Sequence, residues 1–119
     1  MDRHESTENY LETILVLTEK LGKVRSIDIV NDMNFTKPSV SIAMKNFREK
    51  GYITMDESGY ITLTNIGEKI AKGVLERHRV ITKALLSIGV SNETAVDDAC
   101  RIEHDISEET FLKIKALIK

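Results

Sequence analysis

Three residue types that bind metal ions, Cys100, Glu103 and His104, lie close together in the segment DDACRIEHDISEE. Thiolate, carboxylate and imidazole groups are all ligands for divalent metals. If the segment is helical, residues three and four positions apart lie on the same face, so these side chains would project together. The spacing therefore predicts a metal-binding face in this part of the chain and requires further ligands from elsewhere.

The charges of the chain are distributed unevenly. The whole chain has 17 Lys and Arg residues against 19 Asp and Glu residues. Residues 36–50 contain four basic residues and one acidic residue, whereas residues 91–109 contain seven acidic residues and one basic residue. The first segment is suited to phosphate groups and the second to cations.

The composition excludes several classes of protein. The 119 residues are enough for one compact domain or two small helical domains. A single cysteine, Cys100, excludes a disulfide scaffold and favours a reducing compartment. No apolar run approaches the roughly 20 residues of a membrane span, and the polar start MDRHESTENY lacks the apolar core of a signal peptide. We expect a cytoplasmic protein without a membrane partner.

The hydrophobic periodicity predicts a mainly α-helical fold with a small β-hairpin. Ser26, Thr36, Thr64 and Ser107 are expected to cap helices, and Gly51 is expected to end one. Three helices followed by a hairpin with a Gly-containing link describe a winged helix-turn-helix. The expected elements are helices at 6–21, 26–34 and 36–50, strands at 52–55 and 60–63, and helices at 65–88, 92–104 and from 107 onwards.

The third helix has the features of a recognition helix. In a helix-turn-helix the second helix of the pair enters the major groove with its first residues toward the base edges. Short hydroxyl side chains there can contact phosphates or bases, and the helix dipole attracts phosphate. Lysines such as Lys37 and Lys45 also occur on ordinary solvated faces, but the order of the elements favours DNA binding. The candidate DNA contacts are Arg25, Thr36, Lys37, Pro38, Ser39, Ser41, Lys45 and, in the wing, Ser58.

Taken in order, five stretches of the chain resemble the iron- and manganese-dependent repressors, the family of the diphtheria toxin repressor and the manganese transport regulator. The stretches are STENYLETI, TKPSVSIAMKNF, GYITMDESGYITLTNIGEKIA, RHRVITKALLSIGV and DDACRIEHDIS. The most specific elements are the Cys-x-x-Glu-His run and the Arg-His-Arg before it. The resemblance implies a winged helix-turn-helix DNA-binding domain at 1–64 and an α-helical dimerisation and metal-binding domain at 65–119, in a compact form without the SH3-like domain of longer members.

The resemblance also implies a set of metal ligands. They are Asn9, Glu12, His78, Cys100, Glu103 and His104. Asn9 stands where relatives carry methionine or aspartate, and Glu8, four residues before Glu12, is an alternative ligand. Thr82 and Val96 replace the glutamate and histidine of an ancillary site. We therefore expect one metal ion per subunit.

The donor types narrow the choice of metal. Imidazole and carboxylate suit divalent first-row metals, and a thiolate shifts the preference away from manganese. Cys100 therefore favours Fe(II), with Mn(II) as the alternative. Because ligands from the first helix and from the second domain would connect the two domains, metal would select the arrangement of a homodimer that reads palindromic double-stranded operator DNA, with recognition helices about 34 Å apart.

Two other functions are compatible with parts of the pattern. One is a winged-helix regulator that no longer responds to metal, which Asn9 and the missing ancillary site favour. The other is a metalloenzyme, because Cys, Glu and His can hold catalytic zinc. A metalloenzyme would leave the capped basic helix unexplained, and no separate nucleophile is evident. We therefore expect a transcriptional repressor controlling metal homeostasis, without enzymatic activity or a small-molecule substrate.

Overall fold

The helices and strands follow the predicted order. The computed structural model describes residues 3–118, with side chains from residue 6 onwards. Within that range the elements are α1 (Arg3–Leu21), α2 (Ser26–Met33), α3 (Lys37–Glu49), β1 (Ile53–Met55), β2 (Ile61–Leu63), α4 (Asn65–Ser87), α5 (Asn92–Ile102) and α6 (Glu108–Leu117). The predicted fold class, mainly α with a two-stranded antiparallel wing, is confirmed.

The described residues form two compact units. Unit 1 extends to Lys72 and unit 2 begins at Gly73, so α4 contributes to both. The predicted domain limits, 1–64 and 65–119, remain a prediction. None of the helices in the described range is long and apolar enough to cross a membrane.

The core of unit 1 is formed by α1, α2, α3 and the hairpin. Tyr10 on α1 lies with its ring centroid 5.6 Å from that of Phe35 and 5.5 Å from that of Phe47, both edge-on. Burial raises the pKa of Tyr10. The other buried apolar side chains of this unit are Leu11, Ile14, Leu15, Leu17, Val24, Ile29, Val40, Met44, Ile53, Ile61 and, on α4, Ala71. The helix-turn-helix is thus fixed to a core that α1 dominates.

Local signals set the limits of α3 as predicted. The Thr36 hydroxyl accepts a hydrogen bond from the Ser39 N–H at 3.2 Å, and Pro38 lies in the first turn. Gly51 adopts φ +80°, and the next residue, Tyr52, donates from its N–H to the Phe47 carbonyl at 2.9 Å. This positive φ favours glycine, which explains why the helix ends there.

The start of α2 differs from the prediction. Ser26 was expected to cap this helix but is its first residue, and Arg25 is the N-cap. The Arg25 N–H donates to the Asp28 carboxylate at 2.9 Å. A carboxylate near a helix N-terminus is favourable because it lies at the positive end of the helix dipole.

The wing pairs Ile53 with Leu63 and Met55 with Ile61. In addition, the Ile61 N–H donates to the Val24 carbonyl at 2.7 Å, which ties the wing to the segment after α1. The turn is closed by Asp56, whose carboxylate accepts from two backbone N–H groups at 2.9 Å.

The end of α5 also differs from the prediction. The helix was expected to continue to His104, but it ends at Ile102, and Glu103 is its C-cap. His104 lies in the turn that leads to α6, which begins after the predicted cap Ser107. The hydroxyl of Ser107 accepts from the Thr110 N–H at 3.1 Å.

Gly67 on α4 allows the hairpin to approach this helix. A Cβ at Gly67 would overlap the carbonyl oxygen of Tyr52 and lie 3.3 Å from a methyl group of Leu63. Substitution Gly67→Ala should lower the free energy of unfolding by about 1–3 kcal/mol, as overpacking of a core does. Denaturant unfolding followed by circular dichroism measures this change.

Gly73 on the same helix is the matched control. Apart from its chain neighbours and the backbone of its own helix, no described atom lies within 4 Å of a Cβ placed there. Gly73→Ala should raise the free energy of unfolding by about 0.5–1 kcal/mol, because alanine favours the helix more than glycine does. Equal effects of the two substitutions would contradict the packing described for Gly67.

Candidate metal centre and nucleic-acid interface

Unit 2 brings four of the predicted metal ligands into contact. Nδ1 of His78, on α4, lies 2.8 Å from Oε2 of Glu103 and 3.8 Å from Sγ of Cys100. Oε1 of Glu103 lies 3.3 Å from Nε2 of His104. The Glu103 carboxylate therefore bridges two imidazole rings, and the thiol of Cys100 is next to one of them.

The four side chains differ in exposure. Glu103 and the side chain of His104 are buried, at 2% and 1% exposure, whereas His78 retains 23% and Cys100 is exposed. A buried ionised carboxylate is costly unless charges or hydrogen-bond donors surround it. An ionised carboxylate can only accept, so an ionised Glu103 requires that Nδ1 of His78 carry the proton of the 2.8 Å hydrogen bond. The pairing fixes Glu103 in the interior while the thiol remains accessible.

The donor set fits a divalent first-row metal in chemical type. Sulfur, nitrogen and oxygen donors come from side chains that contact one another. Among the described residues, however, no three Cys, His, Asp or Glu side chains already form a group that could hold a metal ion. The Glu103 oxygens instead contact the two histidines. Metal binding would have to displace protons from this group.

The remaining predicted ligands belong to unit 1. Asn9 and Glu12 lie three residues apart on α1 and are both half-buried. Glu8, the alternative ligand, is also half-buried and lies one turn before Glu12. The ligand roles of all three residues remain predictions.

The predicted DNA contacts lie on the surface of unit 1. Thr36 combines two roles, because its hydroxyl caps α3 and also donates to the Ser39 hydroxyl at 2.8 Å. The buried stripe of α3, Val40, Met44 and Phe47, faces the core and leaves the opposite side in solvent. The exposed candidates are Arg25, Thr36, Lys37, Pro38, Ser39, Ser41, Lys45 and Ser58. Their roles in binding DNA remain predictions.

Near the wing, the predicted contact Arg25 has two neighbours that the sequence did not indicate, Lys23 and Tyr60. The guanidinium carbon of Arg25 lies 4.4 Å from the ring centroid of Tyr60, and Nζ of Lys23 lies 4.9 Å from it. Cation–π contact at these distances holds both cations beside β2. The bridge between Val24 and Ile61 produces this arrangement. Such a pairing between distant segments has no local sequence signal.

Two family models together match nearly the whole chain. The family model for the N-terminal DNA-binding domain of iron-dependent repressors matches residues 2–61, and the model for their metal-binding and dimerisation domain matches residues 64–119. The transcriptional regulator MntR of Escherichia coli is 36% identical over 92% of this chain and 70% of its own length. An uncharacterized HTH-type transcriptional regulator of Methanocaldococcus jannaschii is 29% identical over 97% of this chain and 94% of its own length.

Solved structures show the same fold. The crystal structure of T. acidophilum IdeR superposes with a TM-score of 0.78 at 28% sequence identity. The match covers 92% of this chain and 52% of that structure, so the chain spans about half the length of this relative.

The chemistry of the metal centre can be tested through its thiol. Because Cys100 is exposed and is the single cysteine, alkylation by iodoacetamide reports on this position alone. We expect Co(II) or Fe(II) to slow alkylation several-fold relative to protein with chelator, because a metal-bound thiolate is a poorer nucleophile than a released one. Mass spectrometry of timed samples measures the rate.

The variant Glu103→Ala is the control for this measurement. It removes the carboxylate that contacts both histidines, so metal should protect Cys100 less. If metal leaves the wild-type alkylation rate unchanged, Cys100 is not a ligand.

Proposed function

The chain belongs to the family of iron-dependent repressors, which are metal-dependent transcriptional repressors and not enzymes, and we propose that it binds palindromic operator DNA as a homodimer when loaded with Fe(II) or Mn(II). The family that the sequence resembles is thereby confirmed, as are the predictions of a DNA-binding repressor and of a non-enzymatic role. The identity of the metal, the ligand set and the DNA contacts are the parts that we propose here.

One observation carries the metal part of the proposal. His78, Cys100, Glu103 and His104 come from α4, from α5 and its C-cap, and from the turn that follows, yet their donor atoms contact one another within unit 2. A carboxylate buried among sulfur and nitrogen donors is uncommon in a protein interior. This contact supports a ligand role for these four residues.

The proposed ligand set adds residues of α1. Asn9 and Glu12 would complete the coordination, with Glu8 as the alternative to Asn9. A bound divalent cation would supply positive charge that stabilises the ionised forms of Cys100 and Glu103. The thiolate favours Fe(II) over Mn(II), since manganese prefers oxygen ligands.

The DNA part of the proposal rests on the exposed face of α3. Its first turn offers hydroxyl groups and backbone N–H groups at the positive end of the helix dipole, and Lys37 and Lys45 add cationic charge. Arg25 and Lys23 lie beside the wing strand β2 against Tyr60. In the proposed complex α3 lies in the major groove, and the residues near the wing contact the phosphate backbone.

Apolar surface on unit 2 supports the proposed homodimer. Several large apolar side chains of α4, the segment after it, α5 and α6 are exposed, and we propose that they supply the subunit interface. These side chains are Leu86 at 40%, Ile88 at 76%, Val96 at 43%, Leu112 at 50% and Leu117 at 85% exposure.

Metal and DNA binding are expected to be coupled. A bound ion can shift the protein between arrangements only by its different affinity for each of them. We propose that ligands from both units make the metal favour the arrangement that binds DNA. By linkage, operator DNA must then raise the affinity for metal by the same factor.

Operator binding tests the proposal directly. Fluorescence anisotropy of a labelled inverted-repeat duplex, taken from the DNA upstream of the protein's own coding region, should rise with protein in the presence of metal. The titration is made anaerobically with Fe(II), Mn(II), Zn(II) or chelator. We expect binding with metal only, and weak binding by Glu103→Ala and Cys100→Ala at the same metal concentration. The lowest effective metal concentration ranks Fe(II) against Mn(II).

The retained fold of both variants is checked by circular dichroism. Tight operator binding with chelator, or by either variant regardless of metal, would contradict metal control. The chain would then be a winged-helix regulator that does not respond to metal.

The proposed recognition helix can be tested through the salt dependence of operator binding. For Lys45→Ala we expect weaker binding, with the slope of log affinity against log salt reduced by roughly 0.9 for each phosphate group that the variant no longer neutralises. Lys83→Ala, which removes an exposed lysine from α4, should leave the slope unchanged. If both variants behave as wild type, Lys45 does not contact phosphate.

A further inference from the structure

Arg77, the residue before His78 on α4, contacts both ends of the turn that carries two proposed ligands. Its Nη1 donates to the carbonyl of Glu103 at 3.2 Å and to the carbonyl of Ile106 at 3.0 Å. Its Nη2 donates to the carboxylate of Glu108, in the first turn of α6, at 2.9 Å. One guanidinium therefore joins the end of α5, the turn and the start of α6.

The surroundings of Arg77 hold the guanidinium in place. Its guanidinium carbon lies 5.2 Å from the ring centroid of Phe111, which is 3% exposed. The Arg77 side chain itself is 21% exposed, so water competes only partly for its hydrogen bonds. Three hydrogen bonds and one aromatic contact fix the side chain from several directions.

The bonds of Arg77 meet a specific need of the backbone. The last carbonyls of a helix lack partners within the helix, and the Glu103 carbonyl is at that position, since Glu103 is the C-cap of α5. A planar guanidinium presents several N–H donors in a fixed geometry, so one arginine can bind two carbonyls and a carboxylate together. A lysine ammonium lacks this planar fork.

We propose that Arg77 is a positioning residue that fixes the Glu103–His104 turn for metal binding. This inference rests on the proposed function and deepens it. Arg77 and His78 are neighbours on α4, so one short segment supplies a proposed ligand and also binds the backbone carbonyl of another, Glu103. Because the turn is ordered before metal arrives, less conformational entropy is lost on binding, and the affinity for metal is higher.

The experiment compares the metal affinity of Arg77→Lys with that of wild type and Arg79→Lys. Arg79 lies two residues further along α4 and is exposed, so Arg79→Lys is the matched control. Dissociation constants for Co(II) and Mn(II) are measured by competition with a fluorescent chelator, in the absence of DNA. Arg77→Lys should bind either metal about 10- to 100-fold more weakly, as loss of groups that orient ligands does. Arg79→Lys should match wild type.

A second variant and a spectroscopic readout separate positioning from folding. Glu108→Gln removes the charge from one of the three partners of Arg77 and should weaken metal binding less than Arg77→Lys. Both variants should still show the near-ultraviolet absorption of a Co(II)–thiolate bond, but at a higher Co(II) concentration than wild type. If Arg77→Lys does not fold, as judged by circular dichroism with chelator, Glu108→Gln alone decides.

The possible results distinguish the two proposals. If wild type binds neither metal, the proposed function fails and the inference fails with it. If wild type binds metal and both Arg77→Lys and Glu108→Gln retain its affinity, the proposed function stands and the role of Arg77 is refuted. Equal losses of metal affinity in Arg77→Lys and Arg79→Lys would also refute it, because the effect would then not depend on the hydrogen bonds that Arg77 makes.

Discussion

The packing around the metal centre of unit 2 depends on one buried residue, Glu103, which is 2% exposed. Glu103 can remain inside only with partners for its charge. His78 and His104 contact its two oxygens, and Arg77 holds its backbone carbonyl. These contacts require that Arg77 and His78, on α4, lie next to the end of α5. The turn after α5 must also return His104 to the same place.

The burial of Glu103 also makes its contacts with the two histidines suitable for a metal-dependent switch. A cation bound by the proposed ligands would have to replace the contacts between these groups, and proton release would then be linked to metal binding. The basic face of α3 belongs to the other unit, and nothing within unit 2 connects the two chemistries. The proposed ligand roles of Glu12 and of Asn9 or Glu8, on α1, are the part of the account that links metal to DNA binding.

Features that depend on neighbouring residues were predictable from the sequence. Thr36, Ser107 and Gly51 set helix limits through bonds within a few residues or through a backbone angle that favours glycine. The spacing of Cys100, Glu103 and His104 identified the region of the metal centre, although the helix ends before Glu103. That early end coincides with bonds from Arg77, 26 residues away in sequence. Contacts such as these, and the stacking of Lys23 and Arg25 on Tyr60, arise from tertiary pairing and leave no local pattern.

In the proposed function, metal and operator DNA bind to one coupled system. The most direct test is the dissociation constant for Mn(II) or Fe(II), measured anaerobically by chelator competition with and without saturating operator duplex. We expect DNA to strengthen metal binding by the same factor by which metal strengthens DNA binding. A metal affinity that does not change when DNA is bound would contradict the claim, because metal would then occupy the protein without controlling its use of DNA.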